Sequence, residues 1–163
     1  MKFNARGLIE PPVIHKLSNE DFERLFVEDF PNSETRRLLF EELMMYTLRV
    51  QDEVTDSFVQ WIGGSFTTRK KNPRDIDVLT ILDGSAYDRK EKLLITELSK
   101  DSYFGKGVDP YFLAKRETNH KEYSFFVSDQ IYWLNHFGIT RKGRDGKSLL
   151  RGFIQLTYNE FQL

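Results

Sequence analysis

Residues 61–83 read WIGGSFTTRKKNPRDIDVLTILD, and the fold turns on how this stretch is read. The apolar pair Trp61-Ile62 enters a turn of small residues, Gly63-Gly64-Ser65. Nine residues, 66–74, then separate that turn from Asp75-Ile76-Asp77. Val78 to Leu82 continue as a buried-looking strand. Side chains two apart on a strand point to the same face, roughly 7 Å apart. Asp75 and Asp77 therefore converge on one side while Ile76 and Val78 face the other. Two carboxylates so placed repel each other unless a cation lies between them, and hard oxygen ligands suit Mg²⁺. A Gly-Gly-Ser turn opening onto a helix N-terminus offers backbone N–H groups and a hydroxyl to phosphate oxygens. Phosphate cradle and paired carboxylates together point to phosphoryl or nucleotidyl transfer. The blander alternative is a hairpin with a glycine turn and two solvated aspartates.

Outward from this stretch, the chain alternates helical and strand patterns. Residues 1–16 contain Gly7, Pro11 and Pro12 and read as an extended arm. Ser18 and Asp21 form a capping pattern for a short helix over 19–29, which Pro31 ends. Ser33 is the expected N-cap of a longer helix, with Leu39, Leu43, Tyr46, Val50 and Val54 along one buried face. Strands are expected over 57–62 and 75–82. Asp83-Gly84 signals a turn, and Ser85 is the expected cap of a helix over 85–99, with Leu93, Leu94 and Leu98 inward. A third strand is expected over 107–114, at a sheet edge or strand start because Pro110 lacks a ladder donor. Phe125, Phe126, Ile131, Tyr132 and Trp133 are expected to pack an aromatic helix over 122–136 against the sheet. A last strand is expected over 149–158, and residues 157–163 read as a C-terminal tail. The class is α+β with an α/β-like core: one domain over 1–163, a small mixed sheet, and helices mainly on one face.

Composition excludes several function classes. In 163 residues the formal net charge is −1 and aromatic residues make up 14%. A near-neutral, aromatic-rich chain is globular, not a nucleic-acid coat or a membrane-surface protein. There is no cysteine, hence no disulfide framework and no zinc-thiolate site, and a cytoplasmic location is the expectation. No apolar run approaches the ~18 residues of a membrane span, so no direct membrane insertion is expected. Basic residues cluster at Arg69, Lys70, Lys71 and Arg74, and again at Arg141, Lys142, Arg144, Lys147 and Arg151. Arg69, Lys70 or Arg141 could clamp phosphate charge, and the residues leave that choice open. His15, His120 and His136 have no partner at ligand spacing and read as structural or exposed. Trp61 reads as core.

Apolar-Gly-Gly-Ser, a nine-residue spacer and Asp-Ile-Asp-Val resemble the signature of the DNA polymerase β-like nucleotidyltransferase superfamily. That resemblance implies a minimal polymerase β-type core and a third carboxylate on a neighbouring strand. Asp109, which begins the third expected strand, fits that role best; Asp83 and Asp101 are the other candidates. It further implies two Mg²⁺ (or Mn²⁺) ions held by Asp75, Asp77 and Asp109. Gly63, Gly64 and Ser65 would then hold the triphosphate of a (d)NTP.

Further segments carry a closer likeness: residues 7–12, Trp133 with 137–141, and 151–156. They look like a compact bacterial branch of these enzymes, most of all the nucleotidyltransferases of Hailong-type anti-phage systems. Such enzymes are described as making single-stranded deoxyadenosine oligomers from dATP, primed by a tyrosine near the C-terminus, which hold a membrane effector inactive. Tyr158 is the one tyrosine after Tyr132, and the resemblance assigns it the primer role. Two alternatives accompany this reading. One is an antitoxin-type transferase that nucleotidylates a partner protein or RNA. The other is an inactive nucleotide-binding antitoxin subunit acting by contact.

Overall fold

The computed structural model describes residues 1–103, 105–143 and 145–163. It is an α+β fold built on a five-stranded mixed sheet. The strands are β3 (Ile14–Lys16), β4 (Phe58–Gly63), β5 (Ile76–Asp83), β6 (Val108–Lys115) and β7 (Phe153–Tyr158), in the order β3-β7-β4-β5-β6. β3 runs parallel to β7, β4 is antiparallel to both β7 and β5, and β6 is parallel to β5. β1 (Lys2–Phe3) and β2 (Ile9–Glu10) make a small separate ladder. The N-terminal arm is therefore folded down, its last residues forming an edge strand of the main sheet. β6 occupies the other edge, as Pro110 requires.

Alternation along the strands divides the interior into two cores. Phe58, Ile62, Ile76, Val78, Leu82, Ile154, Leu156 and Tyr158 face one side. Against them pack α1 (Asn19–Glu23), a π-helical turn (Arg24–Glu28), α2 (Arg36–Glu53) and α3 (Gly84–Thr96). Val59, Trp61, Leu79, Ile81, Leu113 and Phe153 face the other side, where α4 (Tyr123–Gly138) contributes Phe126 and Phe137. Three helices on one face and one on the other match a sheet covered mainly from one side.

The buried face of α2 holds Leu39, Leu43, Tyr46 and Val50, the 3–4 spacing of its sequence. Tyr46 reaches through the core to share a hydrogen bond with Thr80, 3.1 Å. Four local expectations need correction. Thr35, not Ser33, is the N-cap of α2, and Ser33 Oγ accepts from the Arg36 N–H at 3.2 Å from outside the cap. Asp83, not Ser85, caps α3, accepting from the Ser85 N–H at 2.8 Å. On α4, Phe126, Trp133 and Phe137 face the sheet, while Phe125, Ile131 and Tyr132 are exposed. They fall on the opposite side of a 3.6-residue period. The C-terminal tail is shorter than expected, because Thr157 and Tyr158 belong to β7, paired with Val59 and Phe58. Among the described residues no helix is long and apolar enough to cross a membrane.

Candidate active site

Register brings the central residues together. Gly63, the last residue of β4, is the ladder partner of Asp77 on β5, and Asp77 is the partner of Asp109 on β6. Neighbouring strands lie about 4.8 Å apart, so a glycine and two carboxylates form a row across three strands. Asp77 shares a face with Leu79 and Ile81, the side covered by α4. Asp75 stands just before β5 and joins the group from the chain entering the strand.

The two glycines are there because nothing larger fits. A Cβ on Gly63 would lie 2.2 Å from the Phe137 ring. One on Gly64 would lie 1.9 Å from Asp77 Oδ2, and Gly64 has φ +71°, which L side chains rarely adopt. The turn backbone thus passes directly against the Asp77 carboxylate. Arg151 holds it there. Its Nη1 donates to the Gly64 carbonyl (2.9 Å) and its Nε to the Phe137 carbonyl at the end of α4 (2.8 Å).

The expected helix after Ser65 does not form. The chain makes one turn, with the Thr68 N–H and hydroxyl both donating to the Ser65 carbonyl (3.3 and 2.8 Å). Arg36, fully buried, takes the Phe66, Thr68 and Lys70 carbonyls with its guanidinium. Carbonyls held this way are drawn out of an i→i−4 ladder. Any anion at this turn would meet N–H groups and the Ser65 hydroxyl without a helix dipole behind them.

The electrostatics are unbalanced. Burial pushes the Asp77 carboxyl above the ordinary aspartate value, and the charges of Asp75 and Asp109 push it further, against the pull of His136 and Lys100. Asp77 accepts no hydrogen bond among the described residues. Burial holds His136 below its ordinary value; Asp77 opposes this, while Arg151, Arg141 and Lys100 add to it. Burial likewise lowers Arg151, with Asp77 opposing and Arg141 adding. Arg141 therefore lies within electrostatic reach of the group. Asp109 is engaged by the Lys100 ammonium, which also donates to the Tyr111 hydroxyl at 2.9 Å.

Crowded carboxylates of hard oxygen character, one of them half-buried without a donor, fit a divalent cation. Among the described residues no three His, Asp or Glu side chains are arranged to hold one by themselves. Mg²⁺ is usually held by one or two carboxylates, with water and substrate phosphates completing the shell. The arrangement suits that partial cage.

Other sequence candidates lie elsewhere. Asp83 sits at the far end of β5 as a helix cap, and Asp101 is exposed in the connection before β6. Arg69 turns toward the N-terminal ladder, its guanidinium 5.6 Å from the centre of the Phe3 ring. Lys70 is exposed, its carbonyl bound by Arg36. Arg144 of the second basic cluster lies outside the described residues. A concavity of about 520 Å³ beside Phe3, Phe30 and Arg69 and one of about 250 Å³ beside Tyr87 and Phe125 contain none of the three carboxylates.

Tyr158 is not brought to the carboxylates. Its ring is buried on the α2 face, stacked on Phe58 at 4.6 Å, and its hydroxyl donates to Asn19 Oδ1 at 3.1 Å. Burial pushes the phenol up to about 12, against the pull of Thr47 and Asn19. Its ladder partner Phe58 stands at the opposite end of β4 from Gly63, about 17 Å along the strand at ~3.3 Å per residue. Tyr158 and the carboxylates occupy opposite faces and opposite ends of the sheet.

Residues to which the sequence reading gave no site role complete the surroundings: His136, expected to be structural or exposed, is electrostatically coupled to Asp77. His136, Arg151 and Lys100 come from α4, the chain before β7 and the chain before β6. Arg151 was visible only as one cation in a basic cluster, because its partner Gly64 lies 87 residues away.

Comparison with curated proteins found no match, and comparison with solved structures found none. One family model aligns with residues 1–157, nearly the whole chain, including every residue of the row and its surroundings. By that match the chain belongs to the family of unknown function DUF6932.

Proposed function

We propose that the protein is a nucleotidyltransferase that takes a (d)NTP at the Gly63-Gly64-Ser65 turn and works through Asp75, Asp77 and Asp109. The observation that carries the reading is the row Gly63–Asp77–Asp109, with the Gly64 backbone pressed against the middle carboxylate. A phosphate chain seated on the turn lies beside the carboxylates that would handle its metal. Asp75, Asp77 and Asp109 would hold Mg²⁺ or Mn²⁺, up to two ions, and bound metal would neutralise the triphosphate and acidify the attacking hydroxyl. Arg151 keeps the turn at its distance from Asp77. Arg141 supplies positive charge on the α4 side. The substrates of such an enzyme are cytoplasmic, and we place its work there.

The burial of Tyr158 favours an acceptor supplied in trans, such as a partner protein or RNA, over self-priming. The oligomer-forming defence reading, with dATP as substrate, single-stranded DNA as product and a membrane effector as the responding partner, requires β7 to release its last residues.

The test is incubation of the purified protein with each NTP and dNTP plus Mg²⁺ or Mn²⁺, with products and intact protein resolved by mass. Pyrophosphate release or a nucleotide-bearing product, lost in a folded Asp77→Ala variant, is the expected result. Equal turnover by Asp77→Ala would sink the assignment. Nucleotide adducts present on the wild type and missing from Tyr158→Phe would restore self-priming.

A further inference from the structure

Lys100 lies in the connection between α3 and β6, and its ammonium reaches back over the strand that follows. Nζ contacts Asp109 Oδ2, donates to the Tyr111 hydroxyl at 2.9 Å, and stands 5.3 Å from the centre of the Tyr111 ring. Asp109 and Tyr111 are two apart on β6 and so share a face. The ammonium bridges them along the strand. Tyr111 is in turn fixed by Trp133 of α4, ring centres 4.6 Å apart. The lysine side chain is 47% exposed and Asp109 24%, so water reaches the pair and the ammonium can swing away without disturbing a core.

Asp77 and Asp109 are ladder partners, yet only Asp109 has a side-chain cation on it among the described residues. A divalent ion at the Asp109 carboxylate would stand beside the Lys100 ammonium on Oδ2. Two cations on one carboxylate repel each other and compete for its charge.

Resting on the nucleotidyl-transfer reading, we propose that Lys100 is a displaceable competitor for metal at Asp109. In the ion-free protein it neutralises Asp109 and closes that arm of the site. Ion uptake begins at Asp75 and Asp77 and is completed when Lys100 leaves. Lys100 therefore sets the metal affinity of the protein in the absence of any nucleotide.

The experiment is titration with Mn²⁺ alone, free ion read by electron paramagnetic resonance. It uses the full chain at low ionic strength as wild type, Lys100→Met, Lys100→Arg, Asp77→Asn and the double variant Lys100→Met/Asp109→Asn. Lys100→Met should bind Mn²⁺ more tightly, by up to ~5-fold, the equivalent of one exposed ion pair removed from competition. Lys100→Arg should return the affinity to the wild-type level, because charge and reach are kept. Asp77→Asn should lose binding, and the gain from Lys100→Met should vanish in the double variant. Should Lys100→Met fail to fold, Lys100→Gln carries the same expectation. Unchanged or weaker affinity in a folded Lys100→Met, with binding still lost in Asp77→Asn, overturns the competitor role and leaves the functional reading standing. Absence of Mn²⁺ binding in both wild type and Lys100→Met overturns the metal site and the competitor together.

Discussion

Arg36, fully buried, and Asp77, half-buried, are both charged groups drawn into the fold, and the protein treats them in opposite ways. Arg36 is 0% exposed. Its Nη1 donates to the Phe26 and Phe66 carbonyls, both 2.8 Å, and its Nη2 to those of Thr68 and Lys70, both 2.7 Å. Its guanidinium also lies 3.8 Å from the centre of the Phe30 ring. Among the described residues only its Nε lacks a partner. Burial lowers its pKa to about 10, which leaves it fully cationic at neutral pH. Asp77 has the reverse setting, with no hydrogen-bond donor among the described residues and two carboxylates as its strongest charged influences. An isolated buried charge is costly, and structural ones are settled by partners. Arg36 is settled from within the chain. Asp77 is not, and perturbed groups of this kind cluster at functional sites.

Removing the settled charge should have the largest effect. Arg36→Met takes four carbonyls' donor away from the 66–74 loop and the π-helical turn, and each buried carbonyl left without a donor costs about 1–3 kcal/mol, so a total of at least ~3 kcal/mol is expected. Urea unfolding should show a loss of that size. Arg36→Lys should recover only part of it, since one ammonium lacks the planar fork that spans carbonyls on two segments. A loss below ~1 kcal/mol would break the comparison, because Arg36 would then be no better settled than Asp77.

Gly64→Ala comes next. The new Cβ would meet Asp77 Oδ2 at 1.9 Å in a backbone conformation with φ +71°. Overpacking of this kind costs about 1–3 kcal/mol, and the turn must move away from the carboxylate. Pairing it with Asp77→Ala opens the space, so the double variant should be more stable than the sum of the single effects. Additive losses would mean that the turn and Asp77 are not in the contact described.

Tyr158→Phe should be milder, about 1 kcal/mol, because only the hydroxyl and its bond to Asn19 are lost while the stacking on Phe58 remains. Unchanged stability would indicate a phenol already free of its pocket, the condition that self-priming requires.

Much of this arrangement was legible in the sequence, for reasons that also set the limits. The strands around Trp61–Ile62 and Val78–Leu82 are apolar on both faces, and the apolar spacing of α2 matches its period, so β4, β5 and α2 stand out. Asp109 came from the resemblance, which implies a third carboxylate on a neighbouring strand, and the register of β6 on β5, Val108 with Ile76, places it beside Asp77. What stayed hidden depends on distant contacts. Nothing local in 64–70 says that Arg36, some 30 residues earlier, will take the carbonyls a helix would use. Tyr158 shows the same limit. A terminal aromatic reads equally well as a mobile tail or the end of a strand, and only its pairing with Phe58, a hundred residues away, decides it. Along α4, too many aromatics obscure which three face the sheet.

The smallest expected effect carries the sharpest sign. In protein stripped of divalent ions, Asp77→Asn should be slightly more stable than the wild type at neutral pH, by no more than about 1 kcal/mol. Asparagine keeps the shape and removes the charge that Asp75 and Asp109 oppose. The pH dependence follows from linkage. The native carboxyl titrates above its unfolded value, so across the interval between the two the native state binds more protons, and wild-type stability falls as pH rises. Below the ordinary aspartate value of ~3.9 the two proteins should match. The difference should open through the interval and level off above the native value. His136, held below its ordinary value by burial and pulled back by Asp77, gives stability that is lost as pH falls; Asp77→Asn loses more of it, so the carboxyl's own share is the change seen below the histidine range. Adding Mn²⁺ should then reverse the order, since only the wild type gains by binding the ion. Chemical unfolding of both proteins from acid to neutral pH, with and without the ion, measures all of this. If Asp77→Asn is the less stable protein at neutral pH without metal, Asp77 is settled from within after all, and its contrast with Arg36 disappears.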